Sequence, residues 1–99
     1  MIYGYCRAST PKQKIDRQVE NILREYPDAI LIKEAYSGRR IDRPEWNKLR
    51  KRVQKGDTII FDEVSRMSRN ADDGIIVYQD LFEADIELRF LKEPHINTE

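Results

Sequence analysis

The chain has 99 residues, enough for one domain with one modest core, and its 18 basic and 18 acidic side chains sum to no net charge. A lone cysteine, Cys6, excludes an internal disulfide, and a lone histidine, His95, excludes Cys/His metal-ligand spacing, so a reducing, cofactor-free and metal-free cytoplasmic setting is expected. The opening Met1-Ile2-Tyr3-Gly4-Tyr5-Cys6-Arg7 is too short of apolar residues for a secretory signal, and no later run approaches membrane-spanning length, which excludes a membrane role.

The neutral total is a sum of two opposed blocks. Between Ser37 and Lys55 stand Arg39, Arg40, Arg43, Lys48, Arg50, Lys51, Arg52 and Lys55, opposed by Asp42 and Glu45. From Asn70 onward the acids Asp72, Asp73, Asp80, Glu83, Asp85, Glu87, Glu93 and Glu99 outnumber Arg89 and Lys92. A molecule with one positive end can hold a polyanion there, although charge runs are also found as plain solvated helix faces.

In chain order, Ile2 to Arg7 reads as a strand, followed by a helix start at Ser9-Thr10-Pro11-Lys12-Gln13. Thr10 suits a cap, Pro11 the first helical position, and Gln13 the third residue of a capping box. Ile15, Val19, Ile22, Leu23 and Tyr26 recur at helical spacing until Pro27-Asp28 ends the run. Ala29 to Ile32 reads as a second strand, and a polar loop from Tyr36 to Arg43 leads to a helix beginning at Pro44, whose buried side is Trp46, Leu49 and Val53. Gly56-Asp57 precedes a buried strand, Thr58 to Phe61, and a polar loop from Asp62 to Asn70 follows. Ala71 to Ala84 is helical by the Ile75, Tyr78, Phe82 spacing, and Ile86 to Phe90 alternates as a half-exposed strand.

Strict alternation of strand and helix predicts an α/β fold, three layers deep, with a mostly parallel central sheet and helices on both faces. Ligands of such sheets bind beyond the carboxyl ends of the strands, so the loops after the first three strands are expected along one rim. Those loops carry Arg7, Ser9 and Thr10; Ser37, Arg39, Arg40 and Arg43; and Ser65, Arg66, Ser68 and Arg69.

A serine ringed by arginines, with His95 far along the chain, disfavours a Ser-His acyl-transfer site. It points to phosphoryl transfer, because guanidinium presents a planar fork of donors that matches phosphate oxygens and stays charged. Each preorganised donor aimed at charge developing in the transition state contributes about 3 kcal/mol, so several arginines can stabilise a pentacoordinate phosphorus without a metal. Trp46 is read as core, Cys6 as a small apolar residue of a buried strand, and His95 as a tail or loop residue without a catalytic part.

Tyr5-Cys6-Arg7-Ala8-Ser9-Thr10, with Gln13, Asp16 and Gln18, resembles the amino-terminal signature of the resolvase/invertase family of serine recombinases. Tyr36-Ser37-Gly38, Asp42-Arg43-Pro44, Gly56-Asp57 and Val64-Ser65-Arg66-Met67-Ser68-Arg69 follow in the family's order, so the resemblance covers nearly the whole chain. It implies a catalytic domain over residues 1–99, cut short before the family's long dimerisation helix and DNA-binding domain. The implied function is site-specific recombination of DNA, by resolution, inversion, integration or transposition, through a 5′-phosphoserine intermediate, in a bacterial cell or from a mobile element or phage.

By the same resemblance Ser9 is the nucleophile, Arg7, Arg43, Arg66 and Arg69 grip the phosphate, and Gln18 belongs with them. Gln13, Ser37, Arg52 and Asp57 are implied to be supporting or DNA-binding positions. The implied partners are DNA and further subunits, a homodimer pairing to a tetramer in the full-length protein. Ser65 departs from the pattern, standing where many members carry aspartate. The alternative is a catalytically incomplete module that pairs with recombinase subunits.

Overall fold

The computed structural model of the chain describes residues 1–8, 10, 14–35, 43–68 and 70–98. Its strands are β1 (Ile2–Arg7), β2 (Ile30–Glu34), β3 (Thr58–Phe61) and β4 (Glu87–Phe90), and its helices α1 (Asp16–Glu25), α2 (Pro44–Arg52) and α3 (Ala71–Glu83). Short 3-10 turns occupy Val64–Arg66 and Pro94–Ile96. The strands pair in the order β2-β1-β3-β4 and every pairing is parallel, so β1 and β3 lie in the middle and all carboxyl ends share one rim.

The three layers follow from the period of the strands, which sends alternate side chains to opposite faces. Tyr3, Tyr5, Ile59, Phe61, Leu88 and Phe90 face the layer of α2 and α3, where Trp46, Leu49 and Leu81 complete the larger core. Cys6 and Ile60 face the other way, onto Ile22 of α1, with Ile15, Val19 and Tyr26 packed at the edge. Gly4 shares that face, and a Cβ there would stand 2.9 Å from Ile22 Cγ2, so α1 sits against bare strand backbone. The larger core is aromatic: Phe61 stacks on Phe90 with ring centres 5.2 Å apart, and Trp46 lies 4.9 Å from Tyr5.

Several boundaries differ from the sequence reading: β2 begins at Ile30 rather than Ala29, α3 ends at Glu83 rather than Ala84, β4 begins at Glu87 rather than Ile86, and two differences are larger. The first helix starts at Asp16, six positions after the expected cap at Thr10, with Ile15 in the cap position and no side-chain cap bond. Of the expected capping box, Pro11, Lys12 and Gln13 lie outside the described residues. Capping chemistry is a local preference, and here tertiary pairing of Gln18 with the end of β1 anchors the helix further along. The second strand runs to Glu34, past the apolar run, because Glu34 still pairs in register with Arg7.

Candidate active site

At the end of β1 the chain leaves the sheet at Arg7, and Gln18 in the first turn of α1 meets it there. Its Oε1 accepts the Arg7 N–H at 3.1 Å and its Nε2 donates to the Arg7 carbonyl at 2.9 Å, with the glutamine buried. A side-chain amide thus extends the hydrogen bonding of the sheet by one residue. This fixes the backbone just before Ser9.

Arg7 reaches across to the turn that follows β3. Its Nη2 donates to the Ser65 carbonyl at 2.6 Å and its Nε to the Arg66 carbonyl at 3.2 Å. Arg43, the residue before α2, grips the same turn from the other side, with Nη1 on the Met67 carbonyl at 2.7 Å and Nη2 on the Arg66 carbonyl at 3.1 Å. Arg66 returns the contact through Nη1 to the Arg7 carbonyl at 3.3 Å. Three guanidiniums from three loops are therefore interlocked at one end of the sheet. The Val64–Arg66 turn they hold is itself closed by Glu93, whose Oε1 accepts the Val64 N–H at 3.0 Å.

The electrostatics favour an anion at this place. Burial holds the Arg7 guanidinium below its ordinary value, and the charges of Arg43 and Arg66 push the same way. The described carboxylate in direct contact with these arginines is Glu63, 3.4 Å from Arg66 Nη2. Clustered, part-buried positive charge of this kind is relieved by a phosphate group and is a recurrent mark of a functional site.

Beneath Arg43 lies a layer that the sequence reading did not single out. Its guanidinium stacks 4.9 Å from the Trp46 ring centre and 5.2 Å from that of Tyr5, while its Nε donates to the Tyr5 hydroxyl at 3.2 Å. Tyr5 in turn donates to Glu34 Oε1 at 2.9 Å. Trp46 is core, as expected, and also the platform under an arginine. The available signal was an acidic residue ending a strand that pairs with the arginine strand, which spacing alone does not distinguish from a surface charge.

Of the expected site residues, Arg7, Gln18, Arg43 and Arg66 come together. Ser9, Gln13, Ser37 and Arg69 lie outside the described residues. Arg52 and Asp57 are placed at the opposite end of the sheet. Helix α2 carries the chain back toward the strand starts, so Arg52 at its end stacks 5.1 Å from the Tyr3 ring, and Asp57, just before β3, pairs with the Met1 amine at 3.0 Å. Neither touches the arginine cluster.

A concavity of about 930 Å³ lies away from the three arginines, an apolar groove along α3 lined by Ile75, Tyr78, Phe82 and Ile96, with Ser65 and Ser68 also in its lining. Apolar lining does not suit a phosphate, so the arginine cluster rather than the groove is the candidate site. Among the described residues no group of three or more His, Cys, Asp or Glu is placed to hold a metal ion, and no helix is long and apolar enough to cross a membrane.

Comparison with known proteins gives this geometry a family. Residues 2–99 match the family described as "Resolvase, N terminal domain", and the chain belongs to that family. A resolvase of Clostridium perfringens is 29% identical over 99 residues, spanning 99% of this chain and 52% of the relative. The Transposon Tn21 resolvase of Escherichia coli is 32% identical over 92 residues, 91% of this chain and 46% of the relative. The serine recombinase gin of Escherichia phage Mu is 33% identical over 93 residues, 94% of this chain and 48% of its own length. The chain thus spans about half the length of the curated relatives it matches. A resolvase family site-specific recombinase from Streptococcus pneumoniae shares the fold with a TM-score of 0.72 at 19% identity, over 98% of this chain and 74% of that one.

Proposed function

We propose that this chain is the catalytic domain, residues 1–99, of a serine site-specific recombinase acting on DNA in the cytoplasm. The carrying observation is the interlocked trio of Arg7, Arg43 and Arg66 at the carboxyl rim, with Ser9 two residues beyond the end of β1 in sequence. The names resolvase and serine recombinase among its relatives support this reading over a purely regulatory module.

In the proposed reaction the Ser9 Oγ attacks the phosphorus of a scissile phosphodiester. The Ser9 oxygen–phosphorus bond forms, the bond to the 3′ oxygen breaks, and the hydroxyl proton leaves Ser9 while the departing 3′ oxygen gains one. The product is a 5′-phosphoserine ester and a free 3′-hydroxyl. Attack by a 3′-hydroxyl of an exchanged strand reverses the step and rejoins DNA, with the ester conserving the bond energy. Arg7, Arg43, Arg66 and Arg69 neutralise the charge building on the phosphoryl oxygens. Gln18 fixes the Arg7 backbone, with Gln13 and Ser37 in support, whereas Arg52 and Asp57, at the opposite end of the sheet, have no part in this step. The active assembly is a dimer that pairs to a tetramer.

The test is covalent capture: the protein, incubated with DNA from around its own reading frame, is expected to give a protein–DNA adduct on denaturing gels that Ser9→Ala abolishes. An adduct that survives Ser9→Ala overturns the proposal.

A further inference from the structure

The turn that follows β3 is the template on which the arginines of the other two loops are set. The carbonyls of Ser65, Arg66 and Met67 accept Arg7 and Arg43 between them, so the placement of both guanidiniums follows that of the turn. A 3-10 turn of three residues has poorer hydrogen-bond geometry than an α-helix and fixes its own orientation only weakly. Its first amide needs a partner. Glu63 stands in the cap position with extended backbone, φ −152° and ψ 163°, yet makes no cap bond. Its carboxylate is drawn aside, 3.4 Å from Arg66 Nη2 and 3.7 Å from Lys92 Nζ. The Val64 N–H donates instead to Glu93 Oε1 at 3.0 Å, from a residue 29 positions further along the chain.

Glu93 arrives there because the β3–β4 pairing runs on past both strands. The Leu91 N–H donates to the Phe61 carbonyl and the Lys92 N–H to the Asp62 carbonyl, each at 3.0 Å, which carries the chain alongside the turn. Lys92 adds an ion pair to the buried Asp62 at 3.3 Å. Glu93 is itself anchored: its N–H donates to the Phe90 carbonyl at 3.2 Å, and its carbonyl accepts the Ile96 N–H at 3.1 Å. The residues beyond are pinned back on β4 and α3. Asn97 Oδ1 accepts the Phe90 N–H, and the Tyr78 hydroxyl donates to the Ile96 carbonyl, each at 2.6 Å. The Glu93 carboxylate is thus presented to the turn from a fixed base.

We propose that Glu93 is a positioning residue for phosphoryl transfer: by holding the Val64 N–H it fixes the turn whose carbonyls orient Arg7 and Arg43. This rests on the proposed function, which gives the two arginines their role. It adds the segment after β4 to the three loops that build the site.

Glu93→Ala removes the acceptor and Glu93→Gln keeps one, and both are tested in the full chain. The first readout is hydrogen exchange by NMR at Arg7 Nε–H, which donates to the Arg66 carbonyl of the turn, compared with the backbone amides of β1 and β3. A general loss of stability speeds exchange at the strand amides, whereas loss of the hold on the turn speeds Arg7 Nε–H and leaves the strands near wild type. The second readout is the rate of protein–DNA adduct formation at saturating DNA.

Glu93→Ala is expected to exchange faster at Arg7 Nε–H alone and to form the adduct more slowly, by roughly tenfold to a hundredfold. Glu93→Gln is expected to recover most of both losses, because its amide oxygen still accepts the Val64 N–H. Unchanged Nε–H exchange in Glu93→Ala overturns the proposal, and so does exchange that rises equally at the strand amides. An adduct rate within about twofold of wild type overturns it as well, since a displaced guanidinium costs far more. So does a Glu93→Gln as slow as Glu93→Ala, because the carboxylate would then act by its charge and not by holding the turn. If wild type forms no adduct at all, the proposed function falls, whereas the exchange measurement still decides whether Glu93 holds the turn.

Discussion

Gln18 pairs with both backbone groups of Arg7, accepting its N–H and donating to its carbonyl, although the two residues lie in different elements. The carbonyl has a second partner in Arg66 Nη1, but the N–H depends on Gln18. Gln18→Leu therefore strands one part-buried donor, at a cost of about 1–3 kcal/mol. A urea titration is expected to show the lower midpoint, and Gln18→Glu, which keeps the acceptor and loses the donor, is expected to fall between Gln18→Leu and wild type.

Gly74 and Ser68 give a change of sign. A Cβ at position 74 would stand 2.7 Å from Ser68 Oγ and 3.7 Å from Ser68 Cβ, so the obstruction is the hydroxyl alone. Alanine is favoured over glycine inside a helix by about 1 kcal/mol, a gain that Gly74→Ala forfeits to this collision in the wild-type background. In a Ser68→Ala background the same substitution is expected to stabilise. Thermal melts of the four combinations measure the coupling directly.

Asp57 makes stability depend on pH. Its carboxyl is held below the ordinary aspartate range first by the Gln54 N–H and then by the Met1 amine, against an opposing contribution from burial. Because the folded value is the depressed one, this contribution is present in full above the unfolded value and is lost as pH falls through the folded one. Asp57→Asn is expected to lower stability at neutral pH, and the gap from wild type is expected to close as the solution is acidified through the carboxylate range. Denaturation midpoints across that range check it.

Cys6 is fully buried, and burial, with the charge of Asp62 adding to it, pushes its thiol up to about 11. At pH 8 roughly one thiol in a thousand is ionised, and none is exposed to attack. A thiol reagent is expected to label Cys6 only as the protein opens, with a rate that rises with urea. Rapid labelling in native buffer would contradict the packing of the α1 face.

The elements were legible because their periods are strong: the β1 and β3 spans match the sequence reading residue for residue, and α2 begins at Pro44 as expected. The rim followed from topology, since parallel strands put the loops holding Arg7, Arg43 and Arg66 at one end. The start of α1 was not legible, because Thr10, Pro11 and Gln13 carry a local capping pattern while Gln18 sets the anchor through a long-range contact. Nor was the opposite placement of Arg52 and Asp57, because residues close in sequence to the basic block are carried by α2 to the other end of the sheet. Glu34 and Tyr5 were hidden for a related reason: a charged strand end looks solvated until the helix it caps is seen above it.

The central claim is that Ser9 becomes esterified to DNA under the arginine cluster. The most direct measurement is mass spectrometry of the adduct after nuclease and protease digestion, locating the residue that carries the nucleotide. The account predicts a 5′-phosphonucleotide on Ser9 in wild type and no modified peptide in Ser9→Ala. A nucleotide on any other residue, or a modified peptide that persists in Ser9→Ala, would contradict it.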